Sequence, residues 1–107
     1  MIPLEGSETV ADLDKIIHER ARLRILTYLA SESSEETSFT ELQEKLELSS
    51  GNLSIQLKKL KEAGYIDIQK TFKDNKPYTT VSLNPTGYKA LLSYVEEMEK
   101  IIGALTS

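Results

Sequence analysis

Residues 39–83 limit the possible folds more than any other part of the chain, because their apolar pattern changes period within one run. Over residues 39–63, apolar side chains recur at the spacing of one face of an α-helix. Over residues 66–83, apolar and polar side chains alternate as they do in a β-strand. The order of these patterns predicts two helices joined by a tight turn, followed by a two-stranded hairpin with lysines at its tip.

Local residue preferences indicate where these elements begin and end. Thr40 lies at capping-box spacing from Gln43, so we expect the first helix to begin at Thr40. Ser49 or Ser50 is expected to cap the second helix, residues 50–63, because a serine oxygen can accept a hydrogen bond from a free N–H of the first turn. The glycine that follows this helix is expected to end it in the left-handed conformation.

The hairpin prediction depends on alternation and on turn residues. Ile66, Ile68 and Phe72 share one face of the first strand, and the "KDNK" segment after it is typical of a turn. Pro77 has no N–H to donate, which favours an edge position for the second strand. Asn84 and the proline after it are a favourable cap and first residue for a last helix.

The sequence before this run contributes helices and loops. Apolar residues at helical spacing over residues 10–30 predict one or two helices, with a break near residues 18–20. Residues 31–38 are polar and acidic, and we expect a loop there. Residues 1–9 lack periodicity and are expected to form a loose arm without a secretory signal.

A heptad-like row of apolar residues runs along the last helix, residues 85–107. Their alternating spacings of three and four residues are typical of paired helices. We therefore predict that this helix contacts its counterpart in a second copy of the chain; the alternative is that it packs only on its own domain. The predicted dimer residues are Tyr88, Leu91, Leu92, Val95, Met98, Ile102 and Leu105.

The charge of the chain is unevenly distributed. Its net charge of −4 by itself argues against a nucleic-acid ligand. Residues 50–79, however, hold six lysines and three acidic residues, a local charge of +3, whereas the rest of the chain holds seven basic and fourteen acidic residues, a charge of −7. The positive part therefore coincides with the second helix and the hairpin, where a phosphate backbone could bind.

Several kinds of site are excluded by what the sequence lacks. It has no cysteine and a single histidine, so we expect no disulfide, no metal site and no cofactor. It contains no glycine-rich nucleotide-binding motif and no nucleophile motif, and we predict no enzyme activity. No apolar run approaches the length of a membrane span, and a cytoplasmic protein without membrane contact is expected.

The second helix of the run has an apolar stripe and a polar face. The stripe consists of Leu53, Leu57 and Leu60. On the other side, Asn52 and Gln56 carry amides that can pair bidentately with adenine, and Ile55 can contact a thymine methyl group. Lys58 and Lys59 are predicted to contact phosphate. Any surface helix has polar residues opposite its apolar stripe, so the order of elements and the basic hairpin are what favour DNA.

The run and its flanks resemble the winged helix-turn-helix domain of transcriptional regulators of the MarR and ArsR kind. The resemblance covers residues 14–87 and is carried by "ARLRILTYLA", "SFTELQEKLELSSGNLSIQLKKLKEAGYI" and "KPYTTVSLNPTG". It implies a mainly α fold with a small β-hairpin wing (α+β), in which residues 10–84 bind DNA and the last helix dimerises. It also implies that helix 50–63 enters the major groove and that the wing, residues 70–78, lies near the minor groove or the backbone.

The resemblance implies DNA binding by a dimer, and the leading hypothesis from the sequence is a sequence-specific, homodimeric repressor of transcription that binds palindromic double-stranded DNA. ArsR-type metal sensors use cysteines, which this chain lacks, and wing tips often carry arginine where this chain has lysine. The residues identify no small-molecule effector. The alternative is a winged-helix module for protein–protein interaction, which the net charge of −4 favours. The predicted DNA contacts are Ser50, Asn52, Ser54, Ile55, Gln56, Lys58, Lys59, Lys70, Lys73, Lys76 and Tyr78.

Overall fold

A computed structural model describes residues 13–31 and 36–106, and the predicted arm at residues 1–9 lies outside them. Four helices and a three-stranded antiparallel sheet, with strand order β1-β3-β2, make up the described part of the chain. The predicted fold class, mainly helical with a β-hairpin wing, is confirmed. The elements are α1 (Arg20–Ser31), β1 (Thr37–Ser38), α2 (Phe39–Leu46), α3 (Ser50–Glu62), β2 (Ile66–Lys73), β3 (Lys76–Leu83) and α4 (Pro85–Thr106).

The described residues before α1 form turns and not the helix that their spacing predicts. Asp14 explains these turns, because its Oδ1 accepts hydrogen bonds from the backbone N–H groups of Ile16 (2.8 Å) and Ile17 (3.1 Å). An aspartate that satisfies nearby backbone donors in this way competes with helix formation. Helix α1 begins at Arg20, at the position where the sequence predicts a break between helices, but turns and not a helix precede it over residues 13–19.

Part of the loop predicted over residues 31–38 is a short strand, β1. Thr37 pairs with Val81 and Ser38 pairs with Thr80, so β1 lies along one side of β3. Thr37 is buried by this pairing. A strand of two residues has no alternation that a sequence pattern could reveal, and the contact with β3 decides its conformation.

The first helix of the helix-turn-helix begins one residue earlier than predicted. Ser38 is its cap, since the Ser38 Oγ accepts a hydrogen bond from the N–H of Glu41 at 3.0 Å, and Thr40 lies exposed within the helix. Ser38 and Glu41 have the same capping-box spacing as Thr40 and Gln43, so spacing alone does not distinguish the two pairs. Pairing with β3 holds Ser38 in the extended conformation that a cap requires.

The turn between α2 and α3 agrees with the prediction. Glu47 adopts the left-handed conformation with φ of 54°, and Leu48 packs against the core. Ser49 is the cap of α3, because its Oγ accepts a hydrogen bond from the N–H of Asn52 at 3.1 Å. After α3, Gly64 has φ of +83°, a conformation that glycine adopts without steric cost.

Strands β2 and β3 form the wing, a hairpin whose register runs from Ile66 opposite Leu83 to Lys73 opposite Lys76. The two residues between the strands, an aspartate and an asparagine, both have positive φ, 55° and 64°. These residue types tolerate the left-handed region, and two such residues make the tight turn that matches the twist of paired strands. The turn predicted from "KDNK" is therefore confirmed.

The proline at its start predicts an edge position for the second strand of the wing, and this prediction is wrong. The strand, β3, is the central strand of the sheet. Pro77 is tolerated because β1 reaches only Thr80 and Val81, so the start of β3 has a single neighbour. Phe72 shares a strand face with Ile66, as predicted, yet Phe72 is 77% exposed while Ile66 is buried. The difference arises because only the first part of β2 lies against the helices.

The core joins all four helices to the wing, and α4 closes it. Asn84 caps α4 as predicted, because its Oδ1 accepts a hydrogen bond from the N–H of Gly87 at 2.8 Å. Its Nδ2 donates to the carbonyl of Gly64 at 2.9 Å, which ties the start of α4 to the end of α3. Leu91 and Tyr94 continue the packing of α4 into the core.

Candidate nucleic-acid interface

The apolar stripe of α3 faces the core and turns the opposite side of the helix to solvent. The three leucines of the stripe, Leu53, Leu57 and Leu60, are at most 3% exposed. Burial of one such side chain contributes about 1.5–3 kcal/mol, so the stripe sets the rotation of the helix firmly. Ile55 lies on the outer side and is 55% exposed. The other predicted contacts exposed on α3 are Ser50, Asn52, Ser54, Lys58 and Lys59.

Gln56 differs from these neighbours, because both ends of its side-chain amide are bound within the protein. Its Oε1 accepts a hydrogen bond from Nη1 of Arg22 at 2.7 Å, and its Nε2 donates to Oδ1 of Asn52 at 3.0 Å. Gln56 is partly buried, whereas Asn52 is exposed. The sequence predicts equivalent roles for the two amides, but the fold leaves Asn52 the more accessible of the two.

The wing presents its basic residues at and near its tip. Lys70, Lys73 and Lys76 are all exposed. The Nζ of Lys73 lies 4.9 Å from the centroid of the Tyr78 ring, a cation–π contact that limits the positions of the ammonium group. The exposed ring of Phe72 lies next to these lysines in the strand, and the alternation of β2 by itself did not identify it as a surface residue.

A groove of about 730 Å³ lies between α3 and the wing. Leu57 and Ile68 contribute apolar surface to the groove, and Lys58, Lys61 and Lys70 line it with positive charge. Lys61 is not among the contacts predicted from the sequence. It follows Lys58 by three residues, and side chains at this spacing lie on neighbouring parts of a helix surface, which is the signal that could have identified it.

Within the described residues, no lysine of α3 or of the wing is paired with a carboxylate. The ion pairs found among the described residues join Arg22 with Glu19, at 4.0 Å, and Lys100 with Glu97, at 3.1 Å. The second of these lies on α4, away from the groove. The positive charge that borders the groove is therefore available to an anionic ligand.

The apolar row predicted on α4 divides between the core and the surface. Leu91 is 5% exposed and belongs to the core of its own chain, so it offers almost no surface to a second copy and is removed from the predicted dimer set. Met98 is partly buried against the same core. The exposed members of the row are Tyr88, Leu92, Val95, Ile102 and Leu105.

Two side-chain hydrogen bonds hold the segment before α1 against the rest of the domain. The Tyr65 hydroxyl donates to Oδ2 of Asp14, and Nδ1 of His18 lies 2.7 Å from the Tyr94 hydroxyl. Burial, the hydrogen bond to Asp14 and the charge of that carboxylate together raise the pKa of Tyr65 to about 12. The segment is thereby fixed at the start of β2 and on α4.

The raised pKa makes a prediction about alkaline stability. Tyr65 ionises less readily in the folded chain than in the unfolded chain. Its contribution to the free energy of unfolding is therefore full below about pH 10, the ordinary tyrosine pKa, and is lost as the pH rises towards about 12. We expect the free energy of unfolding to fall more steeply over this interval in the wild type than in Tyr65→Phe. Urea denaturation at a series of pH values measures both slopes.

A matched variant separates this effect from the general loss of a phenol. The Tyr78 hydroxyl has no hydrogen-bond partner within residues 13–31 and 36–106, so Tyr78→Phe is expected to keep the wild-type slope. At neutral pH, Tyr65→Phe is expected to cost about 1 kcal/mol through its lost hydrogen bond. Equal slopes for the wild type and Tyr65→Phe would contradict the contact with Asp14.

Two other features do not occur in the described ranges. No helix there combines the length and the apolar composition needed to cross a bilayer. Nor do three or more histidine, cysteine, aspartate or glutamate side chains come together there as a metal site would require.

A helix-turn-helix with an outward-facing second helix, followed by a β-hairpin, defines the winged helix class of DNA-binding domains. This chain belongs to the winged helix DNA-binding domain family, which matches residues 21–102. The match includes α2, α3 and the wing entirely, and most of α1 and α4. The resemblance on which the predicted fold class depends is therefore confirmed.

Individual proteins similar to this chain come from archaea and bacteria. An uncharacterized protein of Methanocaldococcus jannaschii is 33% identical over 84 residues, which are 78% of this chain and 89% of that protein. A transcriptional regulator homologue from Pyrococcus horikoshii OT3 superposes with a TM-score of 0.82 at 24% identity, over 92% of this chain and 97% of the other. MepR of S. aureus, solved in complex with DNA, has a TM-score of 0.71 at 15% identity, over 99% of this chain and 86% of the other. At these identities the two solved structures establish a shared fold.

Proposed function

We propose that this chain is a sequence-specific transcription regulator that binds DNA as a homodimer, with α3 in the major groove and the wing on the backbone or in the minor groove. The observation that carries the proposal is the unpaired positive charge bordering the groove between the exposed side of α3 and the wing. The fold shared with MepR, which was solved in complex with DNA, also supports the proposal that this chain binds DNA.

The roles of individual residues follow from their positions on α3 and the wing. Residues at the start of a recognition helix contact base edges, and residues further along meet the backbone. Asn52 and Ile55 therefore face the bases in this proposal, with Ser50 and Ser54 beside them. The phosphate contacts are assigned to Lys58, Lys59, Lys61, Lys70, Lys73, Lys76 and Tyr78.

The dimer is proposed from the apolar surface of α4. This helix has 22 residues and is therefore about 33 Å long. Its exposed row of five large apolar side chains, from Tyr88 to Leu105, is unusual for a surface in contact with water. A twofold pairing there would separate the two recognition helices by about 34 Å, which suits a palindromic site. Such a dimer on an operator would repress transcription by occlusion.

Binding to mixed-sequence DNA over a range of salt concentrations tests the proposal. Each neutralised phosphate contributes about 0.9 to the slope of log affinity against log salt. The six lysines assigned to phosphate therefore give a slope of about −5 for one domain and about −11 for the proposed dimer. Absence of binding at low salt would contradict DNA recognition. It would favour a module for protein–protein interaction, the function that the net charge of −4 supports.

Lys59→Ala is expected to weaken binding to all DNA sequences about equally, because an exposed lysine that contacts phosphate carries no base information. Two copies lost from a dimer flatten the salt slope by about 2. Titrations of the variant with an operator and with mixed DNA measure both effects. Lys100→Ala removes the same charge from α4 and is expected to leave the slope unchanged. An unchanged slope in Lys59→Ala would remove Lys59 from the interface.

A further inference from the structure

We propose that Arg22, Gln56 and Asn52 form an amide relay, in which the buried guanidinium of Arg22 determines which end of the Asn52 amide faces DNA. In this relay Asn52 contacts the base, whereas Gln56 is a positioning residue. The inference rests on the proposed function and names the residue that sets base preference. It depends on three side chains whose hydrogen bonds run from α1 to the exposed start of α3.

The relay begins with a donor that is held in one place. Arg22 is 8% exposed, and its Nε donates to the carbonyl of Ile16 at 2.5 Å. The Glu19 carboxylate accepts the backbone N–H of Arg22 at 2.8 Å and lies 4.0 Å from Nη1. A guanidinium has five N–H donors, has no acceptor and stays charged at any physiological pH. Contacts within the protein therefore fix the position of the guanidinium, and its chemistry makes it a hydrogen-bond donor only.

This donor decides the orientation of two amides in turn. Only an acceptor can face Arg22, so Gln56 directs its Oε1 to Nη1 and thereby turns its Nε2 towards Asn52. Asn52 must then direct an acceptor to Gln56, and its Oδ1 lies 3.0 Å from Nε2. The Nδ2 of Asn52, with two N–H donors, has no partner within the described residues and belongs to an exposed side chain.

A side chain that presents N–H donors to the major groove selects bases by their acceptors. Adenine and guanine offer N7, guanine also offers O6, and thymine offers O4. Cytosine presents only its N4 amino group, which is a donor. The relay therefore excludes cytosine at the position that Asn52 contacts, whereas the sequence alone predicts two equivalent contacts with adenine.

Selection of bound sequences from random DNA tests the relay with a variant that reverses its polarity. In Gln56→Glu, both carboxylate oxygens are acceptors, so Arg22 keeps its partner while Asn52 must turn its Nδ2 inward and its Oδ1 outward. We expect cytosine to be disfavoured about tenfold or more by the wild type and to be accepted at the same position by Gln56→Glu. Asn52→Ala is expected to lose discrimination at that position.

Two further variants keep the test decisive. Gln69→Glu adds the same charge on the exposed side of β2, outside the relay, and is expected to retain the wild-type base preference. If Gln56→Glu binds too weakly for selection, Asn52→Asp supplies the same reversal, because it presents only acceptors to DNA. A thermal melt followed by circular dichroism establishes that each variant is folded.

The outcomes distinguish the relay from the function on which it rests. If cytosine stays excluded in Gln56→Glu or in Asn52→Ala while DNA binding persists, the relay is overturned and the proposed function stands. If the wild type selects no sequence even at low salt, the proposed function fails with it. Acceptance of cytosine by Gln56→Glu but not by Gln69→Glu supports the relay.

Discussion

Gly87→Ala is expected to lower the free energy of unfolding by about 3 kcal/mol, at the upper end of the usual cost of overpacking. A Cβ added at Gly87 would lie 2.1 Å from the carbonyl oxygen of Tyr65 and 2.8 Å from Cδ1 of Leu83. The Tyr65 carbonyl is backbone and accepts a hydrogen bond from the N–H of Asn84 at 3.2 Å, so it cannot move away without losing that bond. The start of α4 must shift instead.

The same substitution elsewhere in α4 provides the control. A Cβ at Gly103 would meet no atom within 4 Å, so Gly103→Ala is expected to stabilise the protein by up to about 1 kcal/mol through helix propensity. Urea denaturation of both variants measures effects of opposite sign. A domain of this size is stable by about 5–15 kcal/mol, so the Gly87 effect is large. A Gly87→Ala protein as stable as the wild type would mean that α4 does not begin against the start of β2.

Leu92→Glu is expected to convert the protein to a monomer and to weaken operator binding by about 100-fold or more. Leu92 is 47% exposed on α4, next to Val95 at 40%, so the substitution changes a surface and not the core of the chain. Because each substitution occurs twice in a twofold interface, a dimer of Leu92→Glu chains would bury two unpaired carboxylates. In a dimer, binding of one domain holds the second domain at a high effective concentration near its half-site. Two separate monomers lose this advantage.

Light scattering after size-exclusion chromatography measures the oligomeric state, and titration with a palindromic operator measures the affinity. Lys100→Glu places a carboxylate on the same helix outside the apolar row and removes an exposed ion pair with Glu97, which contributes at most about 1 kcal/mol. This control is expected to remain dimeric. A wild-type protein that is monomeric at micromolar concentration, or a dimeric Leu92→Glu, would contradict the proposed pairing of α4.

The segment before α1 connects the stability of the domain with the proposed recognition of DNA bases. The segment before α1 provides the carbonyl of Ile16 that orients Arg22, and Tyr65 holds the same segment through Asp14. Loosening that segment is therefore expected to disturb the orientation of Gln56 as well as the stability of the domain. Base preference in Tyr65→Phe can be compared with that of the wild type in the same selection.

Much of the fold could be predicted from the sequence, because its signals are local. A glycine after α3 and an asparagine before α4 act on groups within a few residues of themselves. The "KDNK" turn likewise needs only two residues that tolerate positive φ. Apolar periodicity within single helices identified the leucine stripe of α3 and, through it, the exposed side of that helix.

The candidate site could be predicted only in part, because its finer features depend on residues distant in the chain. Spacing placed Leu91 and Leu92 together in the apolar row of α4, but packing against the rest of the domain buries the first and exposes the second. Alternation placed Phe72 with Ile66, although the helices cover only the start of β2. The spacing of three residues relates Lys61 to Lys58, but the position of the wing across the groove is what makes Lys61 a candidate contact.

The sequence by itself determined the order of helices and hairpin from α2 to α4, both ends of α3, the start of α4 and the face of α3 that is buried, because each depends on neighbours a few residues away. The tertiary structure alone decided the partners of that helix. Arg22 and Gln56 are 34 positions apart, and no periodicity or spacing predicts that a guanidinium on α1 would meet an amide on α3. A pattern shows which residues share a face, but only packing shows what that face meets, and here that contact leaves Asn52 more accessible than Gln56.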